Sequence, residues 1–555
     1  MKIDKTLLDD LTEQAKQSPR LRVSYDLRNT PEDQSQRMLN AIEPGSEIRV
    51  HRHSKTSETV VVVRGKVEEV FFDAEGQRVE SIELDPFGPC YAINVPQNRW
   101  HTVRALESGT VIMEAKDGAF EPLKPEDILT INTNETTKMS HNRIYLCLAH
   151  MSESGEEMKY VSEAFNTNWV APLGPNVTGF EKDLEQYVGE DKSVVALCTG
   201  TAAVHLALLA CGVGPGDEVI VQSFTFCASS HPITYLGATP VFVDSEKDSW
   251  NMDPELMEEA IKDRIAKTGK KPKAIIPAAL YGMPYDIERI MEIANRYDIP
   301  VIEDAAEGFG SRWKGQVLGT FGKYGVLSFN GNKIITTSGG GALICPDAEA
   351  KRTIQWYATQ AREAYPYYQH EAIGYNYRLS NICAGIGRGQ MTVLDDHIAH
   401  HQHVLELYKQ LFKDVKGIKV HDNPDSRYDS NFWLNTITID PEVHIKGEEN
   451  AYNAVVQGAV GGAAGVVHAT ENAHTDCEPN NNVEALRVIL DQAGIEARPL
   501  WKPMHKQPVY KNAPAYVNGI SEELFKVGMC LPSGPCVSDD DVRYIVDCIK
   551  SAIIQ

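Results

Sequence analysis

Val301-Ile-Glu303-Asp304-Ala-Ala-Glu307-Gly308 ends a short apolar run in acids, and Ser328-Phe-Asn330-Gly-Asn332-Lys333-Ile-Ile-Thr-Thr-Ser-Gly339-Gly-Gly341 carries a lysine toward a glycine run 29 positions after Asp304. A buried strand ending in a carboxylate, with a lysine on the next strand–loop, is the arrangement that pyridoxal phosphate needs. The lysine amine forms the covalent link to the cofactor. The carboxylate holds the pyridine nitrogen protonated, so that the ring can draw electrons. A lysine beside glycines is on its own an ordinary surface residue; the pairing with Asp304 makes it a signal.

Outward from this pair the pattern alternates. Cys198-Thr199-Gly200-Thr201-Ala202 reads as a strand–helix junction whose free amides suit a phosphate, with an amphipathic helix running to Cys211. Asp217–Gln222 reads as a strand, followed by Phe224-Thr225-Phe226, where an aromatic ring, Phe226, can lie on the pyridine. Asp253-Pro254 caps a helix through Ile261, and Lys273–Pro277 and Ile299–Glu303 read as buried strands. These are the marks of an α/β parallel sheet. Glu307, one turn beyond Asp304, can reach the phenolic oxygen; Ser328 can add a phosphate hydrogen bond; Gly339–Gly341 reads as a flexible turn behind the lysine. From about residue 396 the pattern becomes a smaller α+β unit. The Gly/Ala/Asn-rich stretch within 447–482 reads as a surface insertion. His397, His400, His401 and His403 read as a solvated helix face.

The first part differs in character. Glu58–Gly65, Val67–Phe72 and Gly109–Ala115 are β-branched runs separated by turns, which implies an all-β barrel or sandwich. His51 and His53, two apart on a strand, face the same side. With Glu58 and His101 from neighbouring strands they can close a site of three imidazoles and one carboxylate, suited to Fe, Mn, Ni or Zn. Pro, Thr and Asn then dominate, and 126–142 reads as a linker.

Bulk properties exclude several classes. A net charge of −23 argues against nonspecific nucleic-acid binding, which needs a basic footprint. No apolar stretch reaches membrane-helix length, and the start shows no signal peptide. Eleven scattered cysteines without CxxC spacing read as reduced thiols. A cytoplasmic location is expected, with neither nucleic-acid nor membrane partners.

Residues from about 142 to 555 resemble the DegT/StrS-type sugar aminotransferases of pyridoxal-phosphate fold type I. Within them they look most like enzymes that aminate UDP-4-keto-6-deoxy-N-acetylglucosamine. The motifs are Gly200-Thr201-Ala-Ala, Ser223-Phe-Thr-Phe226, Glu303-Asp304-Ala-Ala-Glu307, Ser328-Phe-Asn-Gly-Asn-Lys333, Gly374-Tyr-Asn376-Tyr-Arg378-Leu-Ser-Asn381, Glu496-Ala-Arg498-Pro-Leu-Trp501-Lys-Pro-Met-His505 and Cys530-Leu-Pro-Ser533-Gly534. The resemblance implies a nucleotide-sugar substrate with L-glutamate as donor. It implies a homodimer with shared active sites, Asn376 reaching the phosphate of the neighbouring subunit's cofactor. It places Arg498, Trp501 and His505 near the nucleotide-sugar and donor pocket. A related dehydrase subgroup carries histidine at the lysine position, so Lys333 argues for amination. A dehydrase or a regulatory cofactor-binding protein on the same scaffold are the other readings.

Residues 1 to about 125 resemble the small WbuC-type cupin metalloproteins. Gly45, His51, His53, Glu58 and Gly65 form a first cupin motif, and Pro96-Gln-Asn98-Arg-Trp-His101 a second. In the second, Asn98 replaces the usual glycine and Ala105 the usual asparagine. The resemblance leaves open an isomerase or epimerase on a nucleotide sugar, or a ligand-binding module. The expected organisation is therefore multidomain: a cupin barrel at 1–125, a linker at 126–142, an aspartate-aminotransferase-like large domain at 143–395, and a small domain at 396–555.

Overall fold

In Glu58–Arg64 the alternate residues Glu58, Val60 and Val62 are buried while Thr59 is exposed, the period-2 pattern of a strand with one face on a core. The computed structural model describes residues 2–30, 33–46, 48–74, 76, 78–118, 123–129, 143–189, 191–451 and 477–554. The chain divides into two units, 1–140 and 141–555.

The first unit contains β1 (Arg22–Asp26), β2 (Ser35–Ile42), β3 (Glu58–Arg64), β4 (Val67–Phe72), β5 (Arg78–Leu84), β6 (Ala92–Val95), β7 (Trp100–Ala105) and β8 (Thr110–Asp117). They pair antiparallel in two sheets, β1-β2-β8-β3-β6 and β5-β4-β7. Ile42, Val60, Val62 and Ile112 of the first sheet share a core with Val67, Phe71, Leu84 and Val103 of the second. The helix Lys5–Gln17, capped by the Asp4 carboxylate, lays Leu8, Leu11 and Ala15 against Leu39, Ala41 and Val111 on the opposite face of the larger sheet. Among the described residues no ring of paired strands closes the two sheets. The described pairing gives two antiparallel sheets sharing one core, and closure into the expected cupin barrel is not shown.

This unit also extends past residue 125. Leu129 N donates to Val50 O at 2.9 Å and Arg52 N to Asp127 O at 3.0 Å. The Asp127 carboxylate accepts from Arg52 Nε and Ser54 Oγ. Residues 126–129 are thus tied to this unit, and the rest of the expected linker, 130–142, lies outside the described residues.

The second unit is built on one mixed sheet. Ala274–Ile276, Glu218–Gln222, Thr239–Val243 and Ala515–Tyr516 run parallel. Parallel bridges Ile275–Val301 and Ala278–Asp304 join them to Ile302–Asp304, Tyr324–Ser328, Gly341–Cys345 and Ser193–Leu197. Gly341–Cys345 runs antiparallel to both of its neighbours, an exception to the expected parallel order. These strands read as nearly continuous apolar runs because helices cover both faces.

A second, antiparallel sheet, Ile418–Val420, Asn435–Ile439, Gly528–Leu531 and Arg498–Pro499, packs with the helices Leu394–Phe412, Asn481–Gln492 and Asp539–Ala552. The boundary between the two layers is not a single point in the chain. Ile144 pairs with Ile495 in the second layer, and Ala515–Tyr516 returns to the first sheet. The helix Leu394–Phe412 corrects one expectation. His397 and His401 are buried, their Nδ1 atoms bonded to the carbonyls of Ile334 and Phe432, so two of the four histidines form the packed face rather than a solvated one. Most of the expected insertion, 452–476, lies outside the described residues. No described helix is long and apolar enough to cross a membrane.

Candidate active site

The carboxyl ends of the parallel strands, where the following loops and helices present free backbone groups, bring the marked residues together. Ser193–Leu197 leads into the helix Gly200–Ala210, whose cap Thr199 accepts the Ala202 amide at 3.0 Å. That helix start, with Gly200, Thr201 and Ala202, lies against Ser328 at the end of Tyr324–Ser328: a Cβ on Gly200 would stand 3.1 Å from Ser328 Cβ. Gly341 is closer still. A Cβ there would stand 2.4 Å from Gly200 N and from the Thr199 carbonyl carbon. Gly341 therefore opens a strand and lets the helix start pass over it, instead of belonging to a flexible turn; Gly339 faces open space.

Asp304 ends its strand and is buried. Its Oδ2 accepts from Ser229 Oγ at 2.6 Å, and its Oδ1 from Ala306 N at 3.2 Å. Thr225 Oγ1, 2.8 Å from Ser229 Oγ, completes the relay. Burial pushes the Asp304 carboxyl up, while these hydrogen bonds and the Lys333 charge pull it back part of the way. Glu307, also buried, accepts the Tyr281 amide at 2.8 Å and faces Lys333 Nζ at 3.5 Å. Burial lifts its carboxyl to about 7 despite the lysine. The Lys333 ammonium lies 4.0 Å above the Trp433 ring, and Trp433 Nε1 donates to Asn332 O at 2.5 Å, fixing the lysine loop. Tyr281 and Phe432, each beside one of these contacts, hold left-handed φ values of 54° and 46°. Such strained backbone persists where surroundings over-determine it, as at ligand sites.

An aromatic wall stands nearby. Phe226, half exposed, meets Trp501 at 5.4 Å, and Trp501 meets Tyr281 at 5.1 Å and Trp433 at 6.2 Å between centroids. Arg498 is paired with Glu496 at 2.7 Å. His505 uses both ring nitrogens, Nδ1 with Ser223 Oγ at 2.6 Å and Nε2 with Glu522 at 3.2 Å. Asn376 is exposed on the segment that bridges Thr359. The sequence reading missed Ser229, Tyr281 and Trp433. Ser229 lies just after the Ser223–Phe226 motif and could have been noticed. Trp433 comes 100 residues after Lys333 and carries no local signal.

The donor set fits pyridoxal phosphate. A buried amine stands with two buried carboxylates, and an open helix start adjoins Ser328.

The first unit holds a second cluster. One ligand-type atom from each of His51, His53, Glu58 and His101 lies within 4.8 Å of the others. His51 and His101 are paired by backbone hydrogen bonds across strands, 2.9 and 2.8 Å, which brings the rings together. Glu69 Oε1 holds His101 Nδ1 at 2.6 Å, leaving the buried Nε2 without a hydrogen-bond partner and 3.6 Å from Glu58 Oε2. His51 Nδ1 is likewise tied to Arg49 O. Burial brings His51 down to about 3 and His101 to about 4, so both rings are neutral near pH 7. The Glu58 carboxyl, which burial alone would raise, is held well below its usual range by His53 and Lys116.

Comparison with known proteins bears on each unit. Residues 3–84 match a domain of unknown function, DUF6016. Residues 151–461 and 454–550 match the DegT/DnrJ/EryC1/StrS aminotransferase family. EpsN of Bacillus subtilis (strain 168), to which a pyridoxal phosphate-dependent aminotransferase activity is ascribed, is 41% identical over 411 residues, covering 73% of this chain and 95% of EpsN. The GDP-perosamine synthase of Escherichia coli O157:H7 is 33% identical, covering 73% of this chain and 98% of that protein. The crystal structure of a DegT DnrJ EryC1 StrS aminotransferase from Brucella abortus superposes with a TM-score of 0.61 at 29% identity, covering 72% of this chain and 95% of that one. With its lysine, paired carboxylates and helix start assembled on this fold, the chain belongs to the DegT/DnrJ/EryC1/StrS aminotransferase family and is a pyridoxal-phosphate-dependent aminotransferase.

Proposed function

We propose that the second unit transfers an amino group from L-glutamate to a UDP-linked 4-keto-6-deoxy-N-acetylhexosamine, giving the 4-amino sugar. The observation that carries the reading is the buried Lys333 amine, 3.5 Å from Glu307 and 4.0 Å above Trp433. Relatives named for GDP-perosamine synthesis and for amination of UDP-linked sugars support a nucleotide-sugar substrate.

The residues divide the work. Gly200, Thr201, Ala202 and Ser328 would hold the phosphate, Phe226 would lie on the ring, Asp304 would pair with the pyridine nitrogen, and Glu307 would approach the phenolic oxygen. When bound, the cofactor supplies an electron sink that lets the α-proton of the amino donor leave. Lys333 is the base that accepts that proton and returns it on the sugar side, an amine whose charge is shared with Glu307. The Ser229–Thr225 relay fixes the Asp304 carboxylate. Phe226, Tyr281, Trp433 and Trp501 exclude water from the amine. Arg498 and Trp501 would meet the nucleotide sugar, with His505 as a fixed post between them and Ser223. The exposed Asn376 would complete the site of the partner subunit in a homodimer.

The first unit, in this reading, is a cupin-type module that binds one divalent metal through His51, His53, Glu58 and His101. The orphaned His101 Nε2, fixed by Glu69, is the observation that fits a metal: a carboxylate behind a ligating imidazole orients it. Fe, Mn, Ni and Zn all suit this donor set.

The amination reading is tested by incubating the full chain with UDP-4-keto-6-deoxy-N-acetylglucosamine and glutamate, with mass spectrometry of the sugar and assay of 2-oxoglutarate. Equal amounts of 4-amino sugar and 2-oxoglutarate are expected. Turnover of glutamate with other nucleotide keto sugars but not with this one would reject the substrate assignment. A Lys333→Ala variant running at the normal rate would reject the site.

A further inference from the structure

Two buried histidines of the helix Leu394–Phe412 reach the active site from behind. His397 Nδ1 bonds Ile334 O at 3.0 Å, and His401 Nδ1 bonds Phe432 O at 3.1 Å. Each carbonyl is one residue from a member of the same pair, Lys333 and Trp433. One helix thus holds the lysine loop and the tryptophan segment at a set separation. Trp433 is fixed at three further points. Its N donates to Asn431 Oδ1 at 2.8 Å, its O accepts from Ser533 Oγ at 3.0 Å, and its Nε1 donates to Asn332 O at 2.5 Å. Asn431 Nδ2 in turn donates to Glu307 O at 2.9 Å, so the indole and the carboxylate facing the lysine hang on one residue. The result is an aromatic face directly beneath Lys333 Nζ, with 4.0 Å to the centroid. The Glu307 contact of 3.5 Å is long for a charge-assisted hydrogen bond, so the ring face carries part of the interaction with the ammonium.

We propose, on the reading of Lys333 as the base, that Trp433 is a positioning residue whose ring face seats Lys333 Nζ while that nitrogen carries the proton taken from the amino donor. The α-carbon–hydrogen bond of glutamate breaks and its proton goes to Nζ. The electron pair passes to the cofactor, the sink described above, and the proton later leaves Nζ for the sugar carbon. An aromatic face attracts the ammonium and gives the neutral amine little. The contact therefore strengthens as the proton arrives, which speeds the transfer without tightening glutamate binding. A tryptophan that only filled the core or anchored the loop would act through its volume and its Nε1–H.

Two variants separate these roles. Trp433→Phe and Trp433→Leu both lose the Nε1–H bond and both open space, but only phenylalanine keeps a face. With pyridoxal phosphate bound to the full chain, the half-reaction with glutamate is followed in single turnover by cofactor absorbance, using ordinary and α-deuterated glutamate. Trp433→Leu should be about tenfold slower than Trp433→Phe and show a larger deuterium effect, with KM for glutamate within about twofold of the wild type. The second readout needs no turnover. In the cofactor-free full chain, acetic anhydride labelling of Lys333 is scored by peptide mass spectrometry against the exposed Lys270. It should run about threefold or more faster in Trp433→Leu than in Trp433→Phe, because loss of the face frees the amine. Where Trp433→Leu does not fold, Trp433→Met serves as the faceless member. Equal behaviour of the two variants in either readout would overturn the proposal and leave Lys333 as the base. A loss confined to KM would overturn it as well. Normal turnover by Lys333→Ala would overturn the base reading and this proposal together.

Discussion

Glu307 can be neutralised with little change of shape, and the consequence has a definite sign. In the cofactor-free chain its carboxyl is raised to about 7 from an ordinary 4.5, chiefly by burial. Between those values the unfolded chain has released the proton and the folded chain still holds it. Stability must therefore fall as pH rises through this interval, by about 1.4 kcal/mol per pH unit, or about 3 kcal/mol in all. Below pH 4.5 and above pH 7 this residue adds no further slope. Glu307→Gln keeps an oxygen to accept the Tyr281 amide and removes the titration. The variant should match the wild type near pH 4.5 and exceed it by about 3 kcal/mol at pH 8. Urea denaturation followed by tryptophan fluorescence reports the relevant unit, since six of the seven tryptophans lie beyond residue 141. Parallel stability–pH curves for wild type and variant would refute the argument. The same variant should lose activity, because the carboxylate it removes is the one that faces Lys333.

Two further outcomes follow from the geometry. Gly341→Ala drives a Cβ into the backbone of Thr199 and Gly200 and should cost about 2 kcal/mol with loss of cofactor retention, whereas Gly339→Ala should be near neutral; thermal melting and cofactor content check both. Mixing an Asn376→Ala chain with a Lys333→Ala chain should restore part of the activity that each lacks, and mixed samples no more active than their parents would argue against a shared site.

The C-terminal site was legible where its chemistry is local. Asp304 ends a strand and Lys333 lies in the loop after another, each flanked by residues that announce it, so their motifs could be read one at a time. The His51/His53 pair was legible for the same reason, since a period of two puts both rings on one side. What could not be read depends on closure between distant segments. Trp433 reaches Lys333 across 100 residues. Gly341 is required by a helix start 141 positions earlier. Whether eight strands close into a barrel depends on pairing between edges, which no single run announces. The four histidines read as a solvated face because no carboxylate in the sequence completes a site with them; His401 is instead buried, with Phe432, in left-handed backbone, offering it a carbonyl.

The segment 498–516, which carries the Arg498–His505 motif, spans both sheets of the second unit. Arg498–Pro499 pairs in the antiparallel sheet, and Ala515–Tyr516 pairs in the mixed one. Between them the chain crosses the mouth of the site and is pinned there. Trp501 N donates to Tyr281 OH at 2.8 Å, and Met504 N donates to Ser223 O at 2.8 Å. His505 N donates to Ser223 Oγ at 3.2 Å, and the same hydroxyl pairs with His505 Nδ1 at 2.6 Å. Nε2 faces the Glu522 carboxylate at 3.2 Å, so both ring nitrogens are engaged. A histidine so committed is poorly placed to exchange protons with a substrate; its contribution is to hold Trp501, and with it the aromatic wall, at a fixed distance from Lys333. Because Tyr281 also presents its amide to Glu307, a shift of this strap would disturb both the wall and the carboxylate facing the lysine. Substrate shape and amine electrostatics are thus set by one rigid connection, the kind of pre-organisation that positions a reactant without further reorganisation.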